Sequence, residues 1–516
     1  MARPTFVFFL PDQLSAKWLE PPALDACPLP NLERLRAQGT TFTQAFSSNP
    51  LSMPARATLA TGLTTRGHGV LQNGYQLDPT IPTFMQLLRR NKWRTAACGK
   101  LHFTPHFHTV HPDYRPYGFD IVHNTEDPRA GEWLDWLERD NPALRDPALA
   151  TIWATAIPEL ENYGPRGENI AERARQIRKN FKWATDRWPQ ATPAYYPNPL
   201  PERYTQTAWI TRQALDFLDK FDPSVPLLLH IGHVQPHSPS CPPEEYLERP
   251  DPRLIPEPIP PEWVQESEPP ECFPISEGAH KAIPDDWRLR RLFYFADLAH
   301  LDDQLGKILD ALEASGRWDN TYFFFLSDHG ELLLDHGFTG KAERHYDACV
   351  RVPLVIAGPG IQKGATCDAI VQLEDIFPTV LDLAGIPLPQ PPVMGPYHRG
   401  EPEAYPGRSL VPLLRGQRPR DWRDAAYIES YNNIQSSSLS FWARTIRTSE
   451  WRYTLYPGGT GEQLFHLRTD PDETRNLAFD PRHAHVRQRL RDRLLELIIL
   501  QDYPHTPRER FALGVH

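Results

Sequence analysis

The stretch Ser52-Met53-Pro54-Ala55-Arg56, running on into Ala57-Thr58-Leu59-Ala60-Thr61-Gly62, sets a hydroxyl and a guanidinium one helical turn apart. Pro54 suits the first turn of a helix, where a missing N–H costs nothing. Ala55, Ala57, Leu59 and Ala60 favour helix. Ser52 therefore falls at or just before a helix N-terminus, where free N–H groups and the dipole attract an anion. Arg56 lies on the same face. The ordinary reading is a capping serine with a surface arginine. The other reading is the start of an anion site.

Further residues able to do chemistry recur at one kind of place. Apolar, β-rich runs at 5–10, 95–98, 227–231 and 321–326 each lead into polar groups. The first leads into Asp12-Gln13, the second into Lys100 and His102. The third leads into His233 and His237, the fourth into Asp328-His329-Gly330. In open α/β sheets, ligands bind beyond the carboxyl ends of the strands. Four strand ends delivering charged or metal-capable groups point to one site. Asp12, Gln13, Asp328 and His329 can supply oxygen and imidazole ligands to one divalent cation. Taken singly, Asp328 before a glycine reads as a turn element. Arg56, Lys100, His102, His237 and Lys341 form an anion-binding and proton-transfer set, since a charged tetrahedral transition state needs several fixed donors. Of the run His102, His106, His108 and His111, only His102 gains a role by position. The others read as a loose metal tract or loop residues. His336, in Asp335-His336-Gly337, stands between a substrate contact and a loop residue.

The elements that must position these groups follow from pattern. A further β-rich run at 353–357 joins the four above. Helical patterns cover 31–38, 83–90, 206–220, 289–314 and 374–383. The alternation predicts a largely parallel sheet covered by helices, an α/β fold. Two stretches interrupt it: a Trp-, Arg- and Pro-rich one at about 124–200, read as a substrate-side insertion, and a Pro- and Glu-rich one at 239–286. From about 418 the character changes. Runs at 427–429, 443–447 and 451–456 read as antiparallel strands, and 484–500 as a closing helix. The expected units are therefore 1–417 and 418–516.

Composition sets outer bounds. The chain has 516 residues, enough for a large core, and 56 prolines, which stiffen long loops. A net charge of −10 and a pI near 6.1 argue against a nucleic-acid surface. Any anion site must then be a local cationic cluster in a cleft. The six cysteines are scattered without framework spacing, which fits reduced thiols. No apolar run is long enough to span a bilayer. The opening residues read as a buried first strand rather than a signal peptide. The cytoplasm is the expected compartment.

The motifs resemble, in order, those of the sulfatase family. Ser52-Met53-Pro54-Ala55-Arg56 is similar to the serine version of its signature, Cys or Ser, any residue, Pro, any residue, Arg. Asp12-Gln13 resembles its first metal motif, and Gly99-Lys100-Leu101-His102 its Gly-Lys-x-His motif. Gln235-Pro236-His237-Ser238-Pro239 resembles its Pro-His-x-Pro motif. Ser327-Asp328-His329-Gly330-Glu331, with Gly340-Lys341 and Arg351-Val352-Pro353-Leu354, resembles its metal and lysine block. Glu462-Gln463-Leu464-Phe465-His466-Leu467, with Asp470-Pro471-Asp472-Glu473 and Asn476-Leu477-Ala478, resembles its C-terminal strand and turn.

The resemblance covers nearly the whole chain and implies an alkaline-phosphatase-like fold with a small C-terminal antiparallel α+β subdomain. It implies hydrolysis of a sulfate monoester by a formylglycine made from Ser52, whose hydrate carries two hydroxyls on one carbon. It implies one divalent cation held by Asp12, Gln13, Ser52, Asp328 and His329, calcium first, with manganese or magnesium as alternatives. Arg56, Lys100, His102, His237 and Lys341 would do the chemistry. Asn73, His233 and His336 would contact substrate. Partners would be a small-molecule or saccharide sulfate ester and a radical-type maturase that accepts serine; oligomerisation stays open. One departure is Pro11 where many members carry a second aspartate. That resembles the branch of choline sulfatase and phosphonate monoester hydrolase, as does Asn73. Lys100 and His102 together look more like a sulfatase. A phosphonate monoester or phosphodiester hydrolase therefore stays open, as does a non-catalytic anion-binding relative with unmodified Ser52.

Overall fold

The computed structural model describes residues 3–261, 282–341, 345–389, 405–431, 442–457 and 461–501. Part of the Pro- and Glu-rich stretch at 239–286, and Cys272 within it, lie outside the described residues. The strands in chain order are β1 (Thr5–Pro11), β2 (Gly39–Phe42), β3 (Ala45–Phe46), β4 (Arg94–Gly99), β5 (Ile121–His123), β6 (Leu227–His233) and β7 (Thr321–Leu326). They continue as β8 (Leu354–Ala357), β9 (Ala365–Cys367), β10 (Val371–Gln372), β11 (Ala425–Ser430), β12 (Ala443–Thr448), β13 (Trp451–Leu455) and β14 (Glu462–His466).

Eight strands form the main sheet in the order β5-β4-β6-β1-β7-β8-β2-β9. β1 runs parallel to β6 and β7, and β4 runs parallel to β5 and β6. Only β8 is antiparallel to its neighbours, β7 and β2. A parallel sheet is covered on both faces, so its central strands are apolar throughout. β1 shows this residue by residue. Val7 and Phe9 enter one core, with Trp209 and Ile210 of the helix Gln206–Lys220 and Phe293 and Phe295 of the helix Trp287–Ala314. Phe6, Phe8 and Leu10 enter the other, with Ala55 and Leu59 of the helix Ser52–Thr61 and Phe377 of the helix Ile376–Ala384. These elements lie where the sequence pattern predicted them, and the fold is α/β of the expected kind.

The C-terminal part is a second sheet, β11-β12-β13-β14, antiparallel throughout. Its Ile446, Tyr453 and Leu464 pack under Val486, Leu490 and Leu494 of the helix Ala484–Gln501. The five described cysteines are free thiols, four of them buried. Among the described residues, no helix is long and apolar enough to cross a membrane.

Candidate active site

Five neighbouring strands of the main sheet bring polar side chains to their carboxyl ends. β1 leads to Asp12 and Gln13, β4 to Lys100 and His102, β5 to Glu126 and Asp127, β6 to His237, and β7 to Asp328 and His329. β4 and β6 converge closely there. Gly99, with φ of 87°, lies against the carbonyl of Gly232, and a Cβ on Gly232 would collide with the carbonyl of Lys100. Only glycine allows that approach.

Ser52 is the first residue of its helix, and its side chain does not cap it. The capping and surface readings of Ser52 and Arg56 are thus set aside. Ser52 is 1% exposed and Arg56 2%. The side chain of Asn73 takes over the capping work, accepting from Met53 N at 3.0 Å. Ser52 Oγ is left to face His329 Nε2 at 2.8 Å and Lys341 Nζ at 3.3 Å. The Nδ1 of His329 faces the carbonyl of Gly330 at 3.1 Å, so in the neutral ring Nδ1 carries the proton. Its Nε2 lone pair then points at Ser52. Burial, opposed by Asp328, pulls His329 down to about 4, so the ring is neutral at neutral pH.

Asp12, Asp328 and His329 offer ligand atoms that lie within 4.8 Å of one another, all buried. Arg56 spans the two carboxylates, with Nε at 2.8 Å from Asp328 Oδ2 and Nη2 at 3.4 Å from Asp12 Oδ2. Burial works against the Asp12 carboxylate, but Lys100, Lys341 and Arg56 hold it well below the usual range. Asp12 Oδ1 and Gln13 Oε1 are buried and have no hydrogen-bond partner among the described residues. Unpaired buried oxygens are costly unless something else satisfies them. Two orphaned oxygens, a second carboxylate and a neutral imidazole form a donor set that fits one divalent cation. Gln13 holds φ at 64°, uncommon for a residue with a Cβ. Its amide is fixed by Glu331, which also accepts from Leu333 N and Gly340 N, next to Lys341.

The opposite wall is built by residues the sequence reading passed over. Glu126 Oε1 accepts from Leu101 N and His102 N at 3.1 and 3.2 Å, and from the Tyr114 hydroxyl at 2.7 Å. It therefore pins the loop that carries Lys100 and His102, the latter at φ 54°. Lys100 Nζ lies between Asp12 and Asp127, at 2.5 Å from Asp127 Oδ1. Burial would lower Lys100, but these two carboxylates raise it. His106, read as a tract or loop residue, stacks on His102 at 3.5 Å between ring centroids and reaches Glu126 Oε2 at 3.2 Å. Burial, with His106 and Lys100 adding to it, holds His102 well below the usual histidine range. The signal for Glu126 and Asp127 was available: they follow a fifth short strand, as the other candidates follow theirs. They stand at the start of the stretch at 124–200 read as an insertion, and the strand before them, three residues long, carries too short a run to stand out.

His237 is half-buried, its Nδ1 facing the carbonyl of Ser238 at 2.8 Å. Loss of water around its ring and the charge of Lys341 pull it down to about 4. Lys341 is also lowered, by burial and by Lys100. Two candidates are not brought to the cluster. His233, at the end of β6, points to the other face of the sheet. Its ring lies 4.8 Å from that of Phe9, and its nitrogens have no partner among the described residues. Side chains alternate along a strand, so the one after Ile231 on that face belongs to the core. His336 stacks on Tyr346 at 3.8 Å and lies beside Lys17, Asp347 and Arg351, in a cavity that none of the cluster residues lines.

A family model described as Sulfatase matches residues 4–386. The chain belongs to the sulfatase family. This places it in the alkaline phosphatase superfamily, as a sulfatase-type hydrolase. A second model, described as N-sulphoglucosamine sulphohydrolase, C-terminal, matches residues 335–499 of this sulfatase-family chain. An arylsulfatase of Clostridium perfringens is 27% identical over 493 residues, covering 92% of this chain and 90% of that one. A choline-sulfatase of Rhizobium meliloti is 27% identical over 496 residues, covering 93% and 83%. Among solved structures, the phosphonate monoester hydrolase of Agrobacterium radiobacter superposes with a TM-score of 0.76 at 26% identity, covering 97% and 96%.

Proposed function

We propose that this chain hydrolyses sulfate monoesters to an alcohol and sulfate, with residue 52 as the nucleophile. The observation that carries the reading is the setting of Ser52 Oγ. It is buried at a helix start, 2.8 Å from the imidazole of His329 and 3.3 Å from the ammonium of Lys341, with Arg56 one turn on. As formylglycine hydrate, residue 52 would supply two hydroxyls on one carbon, one to attack and one to expel sulfate. A cation held by Asp12, Gln13, Asp328 and His329 would supply positive charge for sulfate oxygens. The oxygen-rich set favours calcium, with manganese or magnesium as alternatives.

The chain's own residues do the rest. Lys100, fixed by Asp127, and the helix N-terminus at Ser52 present positive charge to the ester oxygens. His102 is buried, kept neutral and unpaired at Nδ1, which suits a base toward a hydroxyl of residue 52. Between the two candidate acids, Lys341 is the one that reaches residue 52 directly, its Nζ 3.3 Å from Ser52 Oγ. Neutral His237 carries its proton on Nδ1, facing Ser238, and presents a lone pair. Lys341 is therefore assigned proton delivery to the leaving oxygen, and His237 the orientation of that group. The same reading keeps 1–417 as the catalytic unit and 418–516 as the C-terminal unit. It also keeps a serine-accepting maturase as partner and the cytoplasm as compartment.

A second reading is phosphonate monoester hydrolysis, favoured by the superposition above and by Pro11 in place of a second aspartate. Protein whose residue 52 has lost two hydrogens by intact mass is tested on 4-nitrophenyl sulfate and on a phenyl phosphonate monoester. The sulfate ester is expected to turn over faster. A phosphonate rate at least about tenfold higher, about 1.4 kcal/mol in barrier, makes the second reading the right one.

A further inference from the structure

Trp153 is 40% exposed, although a buried indole would stabilise the fold. It is held firmly nonetheless. It follows the buried Ile152 at the end of the helix Arg145–Thr151. Its Nε1–H donates to the carbonyl of Asp127 at 2.8 Å. Its ring lies near-parallel to that of His237, 21° apart with centroids at 6.3 Å. The one polar group of the indole is thus satisfied, and the exposed remainder is an apolar plate fixed beside His237, the residue assigned above to orient the leaving group.

We propose that Trp153 is the platform for the alcohol part of the substrate, and that this alcohol bears a neutral ring, aryl or pyranose. This rests on the sulfate-ester reading above. A ring laid on a preordered indole removes apolar surface from water and loses little side-chain freedom in doing so. A cationic alcohol would also be drawn to an indole face, but it would seek a free carboxylate beside it. Among the described residues, the two carboxylates of this wall, Asp127 and Glu126, are already engaged. Asp127 meets Lys100 at 2.5 Å and His106 at 3.4 Å. Glu126 serves two backbone N–H groups, Tyr114, Asn124 and His106.

The test measures kcat/KM of matured wild-type, Trp153→Ala and Trp153→Phe protein on 4-nitrophenyl sulfate, ethyl sulfate and choline sulfate. The ratio of aryl to ethyl sulfate is expected to fall at least tenfold in Trp153→Ala, chiefly through KM, and to recover in Trp153→Phe. An equal fall on all three esters would show a structural role and overturn the platform, as would an unchanged ratio. A wild-type preference for choline sulfate that Trp153→Ala abolishes would overturn the neutral ring. Hydrolysis of none of the three by wild-type protein would sink the sulfate-ester reading itself, a result distinct from the others.

Discussion

Replacing Arg56 by methionine tests whether the buried charges form one balanced unit. The guanidinium lies 2.8 Å from Asp328 and 3.4 Å from Asp12, with a third bond to the Lys100 carbonyl at 3.0 Å. At an effective dielectric of about 20, the two ion pairs are worth about 6 and 5 kcal/mol of attraction before desolvation is counted. Stripping water from the guanidinium offsets much of that. Methionine keeps most of the volume but leaves two carboxylates with one cation fewer. Removing one partner of a buried pair costs about 3–5 kcal/mol. Urea unfolding of the unmodified protein should show a loss of that size. Calcium titration of the folded variant should show binding at least as tight as in wild type, because the ligand set carries more uncompensated negative charge. A stability loss below about 1 kcal/mol, the size of a surface pair, would refute the buried-unit argument. Clearly weaker calcium binding would show that Arg56 acts as a scaffold rather than as a charge.

Ser52→Ala should abolish sulfate release in matured preparations while leaving the melting temperature near wild type, since Ser52 does not cap its helix; retained turnover would exclude residue 52 as nucleophile. His233→Phe should raise stability and keep activity, because it removes two unpartnered ring nitrogens from a core beside Phe9; thermal melting and 4-nitrophenyl sulfate turnover check both. His230, His233 and His345 are each held down to about 3, chiefly by burial. The unfolded chain, with histidines near 6.5, therefore binds more protons than the folded one between those values, and stability rises with pH across that window. Urea midpoints should climb from about pH 4 to 6.5 and level off above 7, and His233→Phe should flatten the climb. Chelator treatment should lower the melting temperature of calcium-loaded protein, by about 2.7 kcal/mol in stability if loading was at a hundred times Kd.

The central sheet was legible because its strands are apolar on both faces and end in charged pairs. That rule located Asp12, Lys100 and Asp328 without any knowledge of the fold. It misassigned His233, because the predicted strand stopped at Ile231 while the real one runs through His233. One extra strand residue settles which face a side chain takes. It missed Glu126 and Asp127, because β5 is three residues long and lacks the β-rich run of its neighbours. Trp153 was unreadable in principle: nothing in its local sequence shows that the chain folds back to set it beside His237. Asn73 was named as a substrate contact through the resemblance; its capping bond to Met53 N, which spans a loop with no pattern of its own, was not.

The burial of Ser52 has a consequence for how the protein is made. All ten residues of its helix are buried in the finished fold. A maturase acting on Ser52 as proposed would have to reach a side chain that is 1% exposed in a helix packed in the same core as Phe377. On the proposed formylglycine reading, oxidation of Ser52 would then have to be completed on the nascent or newly released chain, in a race against helix docking. On the same reading, a cell that folds this chain faster than it oxidises it would accumulate sound but silent molecules, and adding the maturase afterwards would not awaken them without first unfolding them.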